Sequence, residues 1–219
     1  KGRGESVWLA FFLYDILNRF IEIANEKQDV DSVNQYKHII ERLKKALNTN
    51  GWDGHWYKRA FTDNGEALGS FENSECRIDS IAQSWSVISN AGENDKKYIA
   101  MENLERYLID KETGIIKLLD PPFENSNIEP GYIKSYLPGV RENGGQYTHA
   151  AIWAIMALAK LGLKEKAVEY YTMINPIEHS KTKEKEEIYK IEPYVIPADI
   201  YGSRNLLRKG WLELVYRFF

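Results

Sequence analysis

The sequence predicts an all-α fold, and more specifically part of an α/α toroid, in which a ring of inner helices is enclosed by a ring of outer helices. Six segments have helical periodicity, and segments that are apolar on almost every side alternate with segments that are apolar on one side. A simple bundle would make every helix one-sided, whereas a toroid needs both kinds. The alternation occurs three times, at intervals of about 70 residues. Three helix pairs make roughly half of the usual ring, so we expect residues 1–219 to form a single domain that is part of a toroid.

The three segments of the inner type contain few polar residues, and we expect each to be buried on most sides. They cover residues 5–24, 78–91 and 146–161. The three segments of the outer type follow them, at residues 31–47, 95–110 and 164–174. In the first outer segment Val33, Tyr36 and Ile40 recur at three- and four-residue steps with charged residues on the opposite side, which is typical of a surface helix.

The segments between the helices carry clear turn signals. Residues 51–74 are aromatic and extended in character, and Asp63-Asn64-Gly65 is a strong turn signal, so we expect a small β-hairpin excursion there. Residues 111–138 form a connection long enough to be functional or disordered. Residues 181–187 indicate a solvated helical turn, and the prolines of residues 192–197 require an extended chain.

Composition and charge exclude several functional classes. Charged residues make up 28% of the chain and the net charge is −3, so no basic surface recruits nucleic acid and none drives adsorption to a membrane. No apolar run is long enough to span a bilayer. Cys76 is the only cysteine, which excludes a disulfide framework and favours a reducing, cytoplasmic environment. The four histidines show no metal-ligand spacing, so no metal site is expected.

The stretch before the fifth helix, residues 138–153, concentrates the polar chemistry of the chain. Glu142 and His149 lie on either side of Gly144-Gly145, and an apolar helix follows at once. A glycine pair allows a sharp turn or the close approach of a ligand, and a helix start offers free N–H groups to an anion. The loop could therefore present a carboxylate, an imidazole and bare amides together. In the alternative interpretation, these polar residues only cap the helix.

Several stretches together resemble glycoside hydrolase family 94, a family of inverting sugar phosphorylases, and they arrive in the order found in that family. They are residues 2–9, 51–61, 78–85, 142–151, 175–176 and 192–194. Within the family, residues 78–85 and 175–201 are most similar to the β-1,2-glucan branch. That branch contains the phosphorylase-like domain of cyclic β-1,2-glucan synthase and the 1,2-β-oligoglucan phosphorylases.

The resemblance implies the C-terminal part of an (α/α)6 toroid catalytic domain, in agreement with the alternation of helix types. It also implies phosphorolysis of a glucan or oligosaccharide, in which a carboxylic acid protonates the glycosidic oxygen while inorganic phosphate attacks the anomeric carbon. Phosphate is then a co-substrate, and neither a metal nor an organic cofactor is needed. The positions that match the family assign His149 to phosphate. The positions assigned to the sugar are Glu142, Gln146, Tyr147, Gln83 and Trp85, although Trp85 fits a core position equally well.

Two departures from the family pattern limit the expected activity. The general acid of the family lies in an Asp-containing loop that would end before Lys1, so no catalytic acid can be assigned, and beyond Tyr201 the chain departs from the family up to Phe219. We therefore expect a segment of a longer domain that is inactive alone and that needs the missing N-terminal part as its partner. Two alternatives stay open, a non-catalytic carbohydrate-binding fragment and an inverting hydrolase on the same fold. The hydrolase would need a second carboxylate about 6.5–9.5 Å from the acid, where the family match instead offers His149.

Overall fold

The computed structural model describes residues 2–202, and its helices form two layers. The inner layer contains α1 (Val7–Glu26), α3 (Ser80–Ile88) and α5 (Thr148–Lys160), and the outer layer contains α2 (Val30–Thr49), α4 (Asn94–Leu108) and α6 (Lys164–Ile174). Helix α3 packs between α1 and α5, and each outer helix packs against the inner helix that precedes it. This arrangement confirms the predicted all-α fold with alternating inner and outer helices. Two short helices follow, α7 (Pro176–His179) and α8 (Lys183–Tyr189), the second of them where a helical turn was predicted.

Within the described part of the chain, nine two-residue strands connect the helices. They are β1 (Glu5–Ser6), β2 (Ala60–Phe61), β3 (Ala67–Leu68), β4 (Ile78–Asp79), β5 (Ile109–Asp110), β6 (Ile115–Ile116), β7 (Leu119–Asp120), β8 (Gln146–Tyr147) and β9 (Asp199–Ile200). Strands β2 and β3 form the predicted hairpin, and β1 adds a third strand to it. The other pairs are β4 with β7, β5 with β6 and β8 with β9, all antiparallel.

The strands reveal a structural repeat that the periodicity of the sequence did not predict. Each inner helix starts directly after a strand, and the chain returns after the outer helix to pair with that strand. The predicted inner segments began two residues too early in each case, because the first two residues belong to β1, β4 and β8. The repeat places these strand pairs at the N-terminal ends of the inner helices.

Helix α3 is buried along most of its length, and the Asp79 carboxylate caps its start. Asp79 is 1% exposed and accepts hydrogen bonds from the N–H groups of Ile81, at 2.9 Å, and Ala82, at 3.3 Å. The same side chain forms an ion pair with the Arg59 guanidinium. One buried group therefore caps the helix and holds the preceding segment against it.

Helix α1 differs from its prediction, because it is not buried on most sides. Its exposed apolar side chains are Leu9, Phe12, Leu13, Phe20 and Ile23. Among the described residues α1 packs mainly against α2 and α3, so its remaining surface has no helix over it. An apolar groove of about 590 Å³ runs between α1 and α2 on this side, and its lining includes Leu9, Leu13 and Leu43.

We expect Asp79→Ala to destabilise the fold by about 3–5 kcal/mol, because it removes the cap of α3 and leaves the Arg59 charge without its partner. Asp29→Ala is the matched control. Asp29 also caps a helix, through the N–H of Ser32 at 3.0 Å, but it is exposed, and we expect its loss to cost about 1 kcal/mol. Urea unfolding measures both free energies. Equal losses in the two variants would contradict the role assigned to Asp79.

Candidate active site

Polar residues of the loop and strand that precede α5 meet around the Glu142 carboxylate. Its Oε1 atom accepts hydrogen bonds from the hydroxyls of Tyr147, at 3.3 Å, and Tyr132, at 3.4 Å. Its Oε2 atom lies 3.8 Å from Nε of Arg141, is buried and has no hydrogen-bond partner. The site therefore holds a carboxylate with one unused buried oxygen, which can accept a hydrogen bond from a ligand.

His149 is the second residue of α5, and its side chain is exposed, as a ligand-binding group requires. The imidazole contacts two aromatic rings edge to face, Trp153 at 4.9 Å and Tyr147 at 5.1 Å between ring centres. Desolvation lowers the pKa of His149 below 6.5, and the negative charge of Glu142 partly opposes this effect. The ring is therefore mostly neutral at pH 7 and presents one N–H donor and one acceptor.

The start of α5 is not capped by a side chain, in contrast to α3. The N–H and the hydroxyl of Thr148 donate to the carbonyls of Ala198, at 2.9 Å, and Pro197, at 2.7 Å. Neither Glu142 nor His149 serves as a cap, so the alternative interpretation of this stretch does not fit the structure. The positive end of the helix dipole lies next to the imidazole, which suits an anion.

The glycine pair of the loop is required by the chain itself. Gly144 has φ +89°, in the left-handed region. A Cβ atom on Gly145 would lie 2.9 Å from the carbonyl oxygen of Arg141 and 3.1 Å from that of Ile200. The tight packing at Gly145 is therefore against neighbouring backbone, and the structure explains both glycines without a ligand.

Two residues that the sequence did not single out complete this region. Asn143 is fully buried, and its amide bonds the backbone of Phe123 twice, at 2.7 and 2.8 Å, and the carbonyl of Tyr136 at 2.7 Å. Asp199 lies on β9 directly opposite Tyr147. Its Oδ2 atom is buried without a hydrogen-bond partner, and burial raises the pKa of its carboxyl while Arg141 lowers it.

The structure does not bring Gln83 and Gln146 into this cluster. Both are fully buried. Gln83 accepts a hydrogen bond from the N–H of Tyr57, at 2.9 Å, and donates to the carbonyls of Tyr57, at 2.7 Å, and Asp79, at 2.9 Å. Gln146 accepts from the N–H of Ile116 at 2.9 Å. Because side chains alternate along a strand, Gln146 points away from the face that carries Tyr147.

Trp85 packs in an aromatic row at the interface of the inner helices. It is 7% exposed and contacts Phe12 at 5.2 Å and Trp153 at 5.4 Å, both edge to face. These three rings occupy equivalent positions, since each is the sixth residue of its inner helix. This placement matches the core interpretation of Trp85, and the row reaches the site through the contact of Trp153 with His149.

Residues 2–202 contain no metal-binding group of side chains and no helix suited to crossing a membrane. No group of histidine, cysteine and acidic side chains in this part of the chain has a metal-binding arrangement. None of its helices combines the length and apolar character that a membrane crossing demands. The predicted departure of the tail, residues 203–219, lies outside the described residues.

The family model described as "Glycosyl hydrolase 94 superfamily, catalytic domain" matches residues 1–211. The chain belongs to this family. The resemblance found in the sequence is therefore confirmed, and the predicted toroid agrees with the two helix layers. The predicted departure from the family beyond Tyr201 is wrong for residues 202–211, because the match continues through them.

Several curated proteins are similar to this glycosyl hydrolase 94 chain. Cyclic beta-(1,2)-glucan synthase NdvB from Rhizobium meliloti is 46% identical over 96% of the chain, which spans 8% of that protein. Solabiose phosphorylase from Paenibacillus borealis is 32% identical over 93% of the chain, and N,N'-diacetylchitobiose phosphorylase from Vibrio furnissii is 31% identical over 92%. The chain spans 26% and 25% of these two phosphorylases.

We expect Gln83→Ala to destabilise the fold by at least about 2 kcal/mol, because it leaves two buried backbone groups of Tyr57 without partners. Gln35→Ala, an exposed change on α2, is the control and should be neutral. Chemical denaturation measures both variants. If Gln83→Ala proves as stable as the control, the structural role of this amide is wrong and a ligand-binding role regains support.

We expect NMR titration to place the pKa of His149 below 6.5, because its aromatic neighbours desolvate the charged ring. The folded state disfavours the protonated form of His149. The stability that neutral His149 contributes to the folded state should therefore be lost as the pH falls below 6.5. Glu142→Gln should lower the pKa further, because it removes the negative charge that favours the imidazolium. A rise in the pKa of His149 in this variant would contradict the geometry described here.

Proposed function

We propose that this chain is the C-terminal part of the catalytic domain of an inverting glycan phosphorylase that acts on β-linked glucans, with β-1,2 linkages as the preferred substrate. The observation that carries the proposal is the position of His149, exposed at the uncapped start of α5 beside the Glu142–Tyr147 pair. The phosphorylases among the relatives support the reaction type, and NdvB, at 46% identity, supports the β-1,2 linkage.

The phosphate would bind between the His149 side chain and the backbone N–H groups that follow Thr148 in α5, because the N–H of Thr148 itself donates to Ala198. An imidazole N–H and free backbone N–H groups are donors, and the helix dipole adds a favourable field, so the group that binds there is an anion with several acceptor oxygens. A bound dianion stabilises the imidazolium, and phosphate should therefore raise the pKa of His149 from its lowered value in the free protein. This site needs neither a metal nor an organic cofactor.

The sugar would bind on the other side of His149, against Glu142 and Tyr147. The Oε2 atom of Glu142 lies 3.8 Å from Arg141 but accepts no hydrogen bond within residues 2–202, so it would accept one from a sugar hydroxyl. The Tyr147 hydroxyl orients the carboxylate through its 3.3 Å hydrogen bond. This places the anomeric carbon between the carboxylate and the phosphate. Glu142 then fixes the ring, while His149 fixes the nucleophile.

The reaction transfers the glycosyl unit to phosphate with inversion. A phosphate oxygen forms a bond to the anomeric carbon from one face while the bond to the glycosidic oxygen breaks on the other, and the departing oxygen takes a proton from a carboxylic acid. The residues described here bind and orient both reactants. We assign the proton donor to the upstream part of the same domain, which would also cover the open side of α1. In this proposal residues 1–219 alone are inactive, and the enzyme works in the cytoplasm, where the buried Cys76 thiol stays reduced.

The direct test incubates a β-1,2-gluco-oligosaccharide with the full polypeptide that carries this chain, with and without phosphate. We expect glucose 1-phosphate only when phosphate is present, and none from residues 1–219 alone. Sugar release without phosphate would indicate the hydrolase alternative, and binding without turnover would indicate a carbohydrate-binding protein. Either result would reject the proposed phosphorolysis.

We expect His149→Ala in the full polypeptide to lower kcat/KM for phosphate about 10–100-fold, since it removes a hydrogen bond to a charged ligand. His38→Ala, an exposed change on α2, serves as the control and should leave the rate unchanged. Steady-state kinetics with varied phosphate provides the measurement. An equal effect of both variants would argue against a phosphate site at His149.

A further inference from the structure

We propose that Asp199 is a second sugar-binding carboxylate, which together with Glu142 makes the site prefer a neutral glucosyl unit over a sugar that carries a carboxylate. This inference rests on the proposed function, because it assigns the substrate class of the same site. Asp199 comes from the return strand β9, far along the chain from the loop that supplies Glu142.

The pairing of β8 with β9 puts Asp199 beside the residues already assigned to the sugar. Asp199 is the direct cross-strand partner of Tyr147, so the two side chains lie on the same face of this two-stranded sheet. The Tyr147 hydroxyl in turn donates to Glu142 at 3.3 Å. Tyr147 therefore lies between two carboxylates that approach the site from different parts of the chain.

Both carboxylates have hydrogen-bonding capacity that the protein leaves unused. Oε2 of Glu142 and Oδ2 of Asp199 are buried, and neither has a hydrogen-bond partner within residues 2–202. A buried carboxylate oxygen without a donor is costly, so two of them in one place point to a ligand that supplies donors. Sugar hydroxyls are such donors, whereas phosphate dianions and carboxylates offer only acceptors. The chemistry of these oxygens therefore fits the hydroxyl groups of a sugar.

The charges of Glu142, Asp199 and Arg141 determine whether a neutral or a negatively charged sugar binds more favourably. Arg141 is the cation of this cluster, and its guanidinium also lies over the Tyr136 ring at 5.3 Å. A single guanidinium cannot neutralise two carboxylates. Burial raises the pKa of Asp199, the charge of Arg141 lowers it, and the charge of Glu142 raises it, so the two carboxylates are close enough to repel each other. A third carboxylate, on the substrate, would add to this repulsion, so a sugar acid is disfavoured and phosphate is confined to the side of His149.

The test compares a neutral and an acidic sugar on the full polypeptide that carries this chain. Isothermal titration calorimetry or saturation-transfer NMR would measure binding of methyl β-glucoside and of glucuronic acid, each in the presence of phosphate. We expect the parent protein to prefer the glucoside at least about tenfold. Asp199→Asn, which is isosteric but uncharged, should weaken glucoside binding about tenfold and reduce the preference over glucuronic acid to about threefold or less.

Two further variants secure the result. Glu187→Gln removes one negative charge from exposed helix α8 and should leave both affinities unchanged. Asp199→Ser replaces the carboxylate with a smaller hydroxyl and should show the same loss of preference, so the test does not depend on one variant folding correctly. Glucoside affinity and preference equal to the parent in Asp199→Asn or Asp199→Ser would overturn the role of Asp199 and leave the proposed phosphorolysis intact. A parent polypeptide that binds no sugar and forms no sugar phosphate would overturn both.

Discussion

The antiparallel pairing between the strand before each inner helix and the return strand after its outer helix is the constraint on which this structure depends. At the third repeat β9 pairs with β8. The two residues before β9, Pro197 and Ala198, accept hydrogen bonds through their carbonyls from Thr148, the first residue of α5. These contacts anchor the start of α5 through the N–H and hydroxyl of Thr148 and without a side-chain cap. The side chains of this turn are therefore free for chemistry, and Glu142 and His149 do not have to hold the helix together.

The same pairing explains which parts of the site could be predicted from the sequence. Glu142, Tyr147 and His149 lie within one short stretch, so local reasoning placed them together correctly. Asp199 reaches them only through the pairing of two strands of two residues each, and such short strands leave no periodicity to detect. The six helices were predictable because each has a sustained helical periodicity of apolar residues. The first residues of the three inner helices were not predictable, because the apolar pattern runs without a break from β1, β4 and β8 into the helices that follow.

Glutamine and tryptophan show a different limit of sequence reasoning. Gln83 resembles a sugar-binding amide in its position in the chain, yet its three hydrogen bonds go to backbone groups of Tyr57 and Asp79. Trp85 resembles a stacking platform, yet it packs among other aromatic rings. The residue type determines which hydrogen bonds a side chain can form. The fold determines whether its partner is a backbone group or a ligand. The exposure of α1 has the same origin, since an apolar helix is buried only where another element covers it.

The three hydrogen bonds of Asn143 have a consequence for the thermodynamics of recognition. They tie the segment that carries Arg141 and Glu142 to the backbone of Phe123 and Tyr136 before any ligand is present. Freezing a mobile loop consumes part of the free energy of association, and this loop is already frozen when the protein folds. The entropic cost of complex formation is thereby shifted to the folding step, so more of each contact between protein and ligand appears as affinity.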